Sequence, residues 1–285
     1  MQRSTIWVFP MAKLRDASLL ASLALALTAT IASAQTTLKI DGSTGAMPLV
    51  AALAKAYEEK TPGTKIEIGK GLGTKARIDA VKSGTINIAV ASHGLKVDEL
   101  VKQGMTVHEI ARTPVVLAVN ASVSVAGLSH AQVCSIYSGA LTDWKDAGGA
   151  QLAIAPLTRP DSEVDAEVVR AGIACLTTLK MPPSVKVMDR GGDMANGLAS
   201  TTGSIGMTTT TVVEQSKGQI KTLALDGIAP TEATVINGSY RLAREVFLVA
   251  NGDAAPATKA FLAFVKSADG ARVIRANRAI PKSGG

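Results

Sequence analysis

Short apolar runs alternate along the chain with segments that are greasy on one face only. Leu38-Lys39-Ile40 reads as a brief strand closed by the turn Asp41-Gly42-Ser43-Thr44-Gly45. Val50, Leu53, Ala54 and Tyr57 then recur at helical spacing until Pro62-Gly63 stops the pattern. Beyond it the pattern predicts a strand over 65–68, a tight loop over 71–74, a helix over 75–83 and an unbroken apolar strand over 86–91, buried on both faces. The second half repeats this grammar, with strands expected over 115–119, 152–157, 185–188, 204–208, 220–225 and 246–249. Ser129-x-x-Gln132 is a capping box that opens a helix carrying Cys134, Ile136 and Tyr137. Further helices are expected from 162 to 178, over 256–267 and over 270–276.

Strands separated by helices predict an α/β fold with mostly parallel sheet. No low-complexity linker divides the chain, so two lobes would have to be joined by ordered crossing strands, for which 112–119 and 240–249 are the candidates. That gives a first lobe of 35–113 completed by a return segment 241–285, and a second lobe of 114–240.

The N-terminus stands apart. An apolar run over 17–31 follows Lys13 and Arg15 and precedes Ala32-Ser33-Ala34, the plan of a signal peptide over 1–34 cleaved after Ala34. The run is too short and too rich in Ala and Thr for a membrane anchor, and Met11 is a second candidate start beside Met1. Export to the periplasm follows. Losing Arg3, Lys13, Arg15 and Asp16 with the leader lowers the formal net charge from +7 to +5. A mild positive excess favours anionic ligands. Nucleic acid is not an expected partner, because the basic residues are scattered and aromatics make up only 3% of the chain. An oxidising compartment makes a disulfide between Cys134 and Cys175 one reading, and two small buried apolar side chains the other. Neither Cys has a His cluster nearby, and no metal or cofactor is expected.

Candidate chemistry lies where strands end and helices begin, at Gly42-Ser43-Thr44-Gly45, Gly71-Leu72-Gly73-Thr74 and Arg159-Pro160-Asp161-Ser162. Such junctions offer unpaired amides and the positive end of a helix dipole, which suit an anion, and Arg159 can add a two-pronged donor. Each also has a plainer use. Ser43, Thr44 or Ser162 can simply cap a helix, with Asp165 as acidic partner to Ser162, and Arg159 can pair with Asp161 or Asp165. An enzyme is the competing class, but His93, His108 and His130 come without a GxSxG, HExxH or paired-carboxylate signature.

The runs DGSTGAMPLVAALAKAYEEKTPGTKIEIGKGLGT, INIAVASHGL, CSIYSGALTDWKDAGG and GSIGMT resemble the substrate-binding protein of phosphate ABC transporters. The resemblance implies a two-lobed periplasmic binding protein with two crossover strands, a monomer that hands its ligand to an inner-membrane ABC permease. It places the ligand contacts on Ser43, Thr44, Gly73, Thr74, Ser92, Arg159 and Ser162. Two departures bear on specificity. The family's Ser-Gly-Thr loop is Ser162-Glu163-Val164 here, and Ser92 stands where well-known phosphate binders carry a carboxylate. Phosphate is therefore the first ligand expected, with sulfate, molybdate or an organic anion as alternatives, and a receptor kinase as the alternative reader of the closed form.

Overall fold

The computed structural model describes residues 1–2, 4–5, 35–92 and 94–282. The expected leader with its cleavage site, Met11 and His93 lie outside them. Residues from Gln35 onward gather into one compact unit. It begins with β1 (Thr36–Gly42), α1 (Met47–Lys60), β2 (Thr64–Ile68), α2 (Thr74–Lys82), β3 (Ile88–Ser92) and α3 (Val97–Lys102). The long β4 (Met105–Asn120) leads to β5 (Gly127–Leu128), α4 (His130–Tyr137), β6 (Ala155–Thr158), α5 (Val164–Gly172), β7 (Lys186–Val187) and α6 (Gly191–Ser200). Next come β8 (Ser204–Thr209), α7 (Thr210–Gln215), β9 (Ile220–Thr222), β10 (Ala224–Leu225) and α8 (Glu232–Ile236). The return is β11 (Ala243–Asn251), α9 (Pro256–Lys266), α10 (Ala268–Ala276) and β12 (Ile280–Pro281).

The main sheet runs β2-β1-β3-β11-β4-β8-β6-β7. β1 pairs in parallel with β2 and β3, and β6 in parallel with β7 and β8. Between these parallel ends lie β4 and β11, antiparallel to each other and to their outer neighbours. β4 serves both halves: Met105 to Pro114 pair with β11, and Val115 to Val119 with β8. The two-lobed α/β frame thus hangs on two strands that cross from one half to the other.

Burial follows the strand period. All five residues of β3 are buried. Ile88 and Val90 join a cluster with α1 and α9, while Ala89 and Ala91 face a second cluster with Val81 and Leu100; alternate side chains serve opposite faces. A third cluster collects Val115 to Val119, Tyr137, Trp144 and Ile205. Cys134 and Cys175 form a disulfide with Cα atoms 6.1 Å apart, tying α4 to the short 3-10 turn Ala174–Thr177. Among the described residues no helix is long and apolar enough to cross a membrane.

The expected helix over 162–178 is shorter. It starts at Val164 and ends at Gly172, after which Ile173 turns extended. The expected strand over 220–225 is two strands, because the Leu223 amide bonds to Leu117 O and the chain then leaves β4 to pair with β5. The helix α6 has no counterpart in the sequence expectations.

Candidate functional site

The carboxyl ends of β1 and β3 fix the first loop. Asp41 Oδ1 accepts hydrogen bonds from the amides of Gly42 (2.7 Å) and Gly71 (2.8 Å), joining the loops that follow β1 and β2. The fit needs glycine. A Cβ on Gly42, whose φ is +147°, would sit 2.1 Å from Val90 O, and one on Gly69 would sit 2.0 Å from Asp41 Oδ2. The Ser43 amide, expected to be open to a ligand, donates instead to Val90 O at 2.9 Å. The amides of Thr44 and Gly45 have no hydrogen-bond partner among the described residues.

Three helices begin here without a side-chain cap: α1 after Ala46, α2 after Gly73 and α5 after Glu163. The expected Ser162 cap does not form, since Glu163 holds the cap position with no side-chain bond. Uncapped first turns leave amide donors and a positive dipole end pointing toward the preceding loop. Remote α4 shows the opposite arrangement, with a complete capping box of Ser129 and Gln132.

These loops enclose a cavity of about 430 Å³. Ser43, Thr44 and Gly73 line it from the loops after β1 and β2, and Ser162 and Glu163 from the loop before α5. Lys70, Arg77 and Arg190 supply positive charge to its wall, against Glu163 and Asp189. Thr74 opens α2 and so contributes its amide to that helix's first turn. Burial lowers the pKa of Arg77 while the charges of Glu163 and Asp41 raise it, and its Nη1 donates to Val90 O at 3.0 Å.

Arg159 is set deeper, 2% exposed. It is not among the residues that line the cavity; its Nη2 donates to Glu163 Oε2 at 2.5 Å, while Nε and Nη1 have no hydrogen-bond partner among the described residues. Its expected partners lie elsewhere: Asp161 pairs with Arg170 at 2.7 Å and Asp165 with Arg244 at 3.2 Å. Gly191, at the start of α6, packs close to the loop of Thr44 and Gly45. A Cβ there would stand 3.3 Å from Gly45 Cα and 3.5 Å from Arg159 Nη1.

Ser92 is not brought to this cavity. Its hydroxyl donates to Glu245 O at 2.9 Å, and it lines a second cavity of about 570 Å³ floored by Ile78, Ala91, Leu95 and Leu100. Arg77 and Val164 border both cavities.

The sequence reading missed Arg244. It lies on β11, 1% exposed, with Nε and Nη2 without a hydrogen-bond partner among the described residues. A Cβ on Gly45 would come within 2.8 Å of both its terminal nitrogens. The signal was alternation: Arg244, Val246 and Leu248 share the inward face of one strand. Two sealed guanidiniums with unpartnered N–H groups beside three uncapped helix starts form an environment that rewards a negatively charged acceptor.

Among the described residues neither His108 nor His130 offers a comparable centre. His130 pairs with Asp226 on the surface. His108, on β4, has its pKa lowered by burial and secondarily by Lys266. Among the described residues no group of three His, Cys, Asp or Glu could hold a metal ion.

A family model described as the PBP superfamily domain matches residues 27–269. The phosphate-binding protein PstS of Bacillus subtilis is 27% identical over 239 residues, covering 81% of this chain and 76% of its own length. A phosphate ABC transporter substrate-binding protein from Clostridium perfringens, solved with bound phosphate, matches with a TM-score of 0.70 at 25% identity, over 87% of this chain and 100% of that one. An ABC-type phosphate transport receptor from Vibrio cholerae matches with a TM-score of 0.58 at 26% identity, over 85% and 99%.

Proposed function

The chain belongs to the PBP superfamily, and from that footing we propose that it is the exported, periplasmic solute-binding component of an ABC importer, holding phosphate in the cleft between its lobes. One observation carries the reading: Arg159, sealed behind the cavity lining and close to the Thr44 loop across Gly191, keeps two N–H groups without an acceptor among the described residues. The likeness to proteins named for phosphate selects phosphate among the oxyanions.

In this reading Ser43, Thr44, Gly73 and Thr74 form the half-site of the first lobe, and Arg159 and Ser162 that of the second. Ser92 lies outside this half-site, its hydroxyl bonded to Glu245 O. The lobes are 35–113 with 241–285, and 114–240; the division of buried side chains supports this, with Leu38 to Ile110 and Val246 to Ala279 on one side and Val115 to Leu242 on the other. Ile280 packs with the second group across that boundary. The protein is a monomeric carrier for a permease, not an enzyme.

A thermal-shift screen of the mature protein against phosphate, arsenate, sulfate, molybdate and phosphonates tests the reading. Phosphate at 100 times its dissociation constant stabilises by about 2.7 kcal/mol through mass action. No shift with any oxyanion, or turnover of a phosphomonoester, overturns it. A second reading, an organic phosphate or phosphonate, is favoured by the adjoining 570 Å³ cavity with its apolar floor and shared Arg77; a larger shift with phosphonates than with phosphate selects it.

A further inference from the structure

The cavity at the Thr44 loop is larger than one phosphate. A tetrahedral oxyanion has five heavy atoms and displaces on the order of 100 Å³, a few waters at about 30 Å³ each. The cavity measures about 430 Å³. A further cavity of about 200 Å³ adjoins it, and the two share a wall made by Thr44, Lys70, Gly71 and Arg190.

That shared wall carries two cations and no carboxylate. Lys70 comes from the loop after β2, and Arg190 from the cap position of α6. Both are exposed, and neither forms an ion pair among the described residues. The nearby carboxylates are engaged or set apart. Glu163 is held by Arg159 at 2.5 Å, Asp193 accepts from the Arg190 amide at 3.1 Å, and Asp189 lines only the larger cavity.

The start of α6 adds donors at the same place. This helix has ten residues, and Arg190 holds its cap position with a side chain that can only donate. Its first-turn amides therefore go without the usual side-chain acceptor, at the positive end of the helix dipole. A sealed cation stands beside them. Arg159 is 2% exposed, its Nη1 has no hydrogen-bond partner among the described residues, and a Cβ on Gly191 would stand 3.5 Å from that nitrogen. Donors thus continue from the Thr44 loop past Gly191 to Lys70 and Arg190. A single phosphoryl group at the Thr44 loop leaves the last two without an acceptor.

We propose that the site binds a diphosphate group, with one phosphoryl at the Thr44 loop near Arg159 and the other between Lys70 and Arg190. This rests on the phosphate-binding reading and extends its ligand class to condensed phosphates. The added oxygens give both exposed cations charge-assisted hydrogen bonds. The smaller cavity meets solvent at Gly192 and Asp193, so the far phosphoryl can be free or esterified.

The test is calorimetric titration of the mature protein, in metal-free buffer at pH 8, with phosphate, inorganic pyrophosphate and ADP. Pyrophosphate binds about 10-fold or more tighter than phosphate, the worth of one or two charge-assisted hydrogen bonds, at one per chain and in competition with phosphate. ADP in the same range shows that the diphosphate group suffices when esterified; ADP weaker than phosphate confines the site to the inorganic form. Lys70→Ala and Arg190→Ala, both at exposed positions, each lower the ratio of pyrophosphate to phosphate affinity about 10-fold. Three results overturn the proposal: pyrophosphate no tighter than phosphate, an unchanged ratio in both variants, or citrate, a compact trianion without phosphoryl groups, binding as tightly as pyrophosphate. In each of these the phosphate reading stands as long as phosphate itself binds. A wild type that binds neither phosphate nor pyrophosphate removes that reading and the proposal with it.

Discussion

A guanidinium sealed from water is destabilised by about 1–3 kcal/mol for each buried N–H group left without an acceptor. Arg159 meets one of its needs within the protein, through Glu163, and leaves Nε and Nη1 unmatched. Lysine at this position would keep the charge but lose the planar fork. Arg159→Lys is therefore expected to weaken phosphate binding by about 10- to 100-fold, the worth of one or two charge-assisted hydrogen bonds. Glu163, partly exposed, turns to water when its partner is lost, so the apo melting temperature should change little. Titration of the variant beside a melting curve checks both halves, and unchanged affinity would remove Arg159 from the site. At this scale the sequence was informative about identity and less so about pairing. Ser43, Thr44, Gly73 and Ser162 do meet at one cavity, since strand-to-helix junctions carry their chemistry locally. Which carboxylate faces Arg159, and that Ser92 turns to Glu245 instead, depend on how distant segments pack, and no local spacing encodes that.

Helices and strands were legible where their own residues decide them. The capping box at Ser129 formed as read, since both of its hydrogen bonds lie within four residues. α6 was invisible for the complementary reason. Its sequence, GGDMANGLAS, holds three glycines, each among the poorest residues for a helix interior. Packing overrides that weakness: Met194 and Leu198 are buried in the second lobe's cluster, and Asp193 accepts from the Arg190 amide at 3.1 Å. At its start a Cβ on Gly191 would stand 3.3 Å from Gly45 Cα, a close contact that glycine relieves. α5 stopped early because the chain turns at Ile173 toward the bridge between Cys134 and Cys175. That bridge closes a separation of 41 residues, so chain entropy alone assigns it about 4 kcal/mol. Reduction, or Cys134→Ala with Cys175→Ala, should lower the unfolding free energy by about 3–4 kcal/mol while leaving phosphate affinity in the native state nearly unchanged, because neither cysteine lines the cavity. Denaturant unfolding with and without reductant measures the first effect and titration the second. A loss of affinity at full folding would mean that the bridge positions α5.

In the proposed site the anion takes donors from both sides of the two crossing strands, so at the scale of the whole molecule binding and closure are one equilibrium. A ligand shifts such an equilibrium only by its difference in affinity for the two states, so contacts that join the lobes away from the ligand also set the apparent affinity. One such contact lies on α7. Gln215 Nε2 donates to Pro48 O on α1 at 3.2 Å and to Asn277 Oδ1 at 2.8 Å, and beside it Glu214 pairs with Arg278 at 3.0 Å. The ion pair is exposed and contributes little. The two amide hydrogen bonds, on an exposed residue, contribute about 1 kcal/mol together, and they join α7 to α1 and to the end of α10. Gln215 lines neither cavity. Gln215→Ala should therefore weaken phosphate binding about five-fold without removing any ligand contact, by lowering the population of the competent state. The mechanism has a second signature. Solution scattering of the ligand-free variant should give a larger radius of gyration than the wild type, and saturating phosphate should bring the two together. Weaker binding with identical scattering would place the effect in the site itself, and unchanged binding would mean that the lobes stay together without this contact.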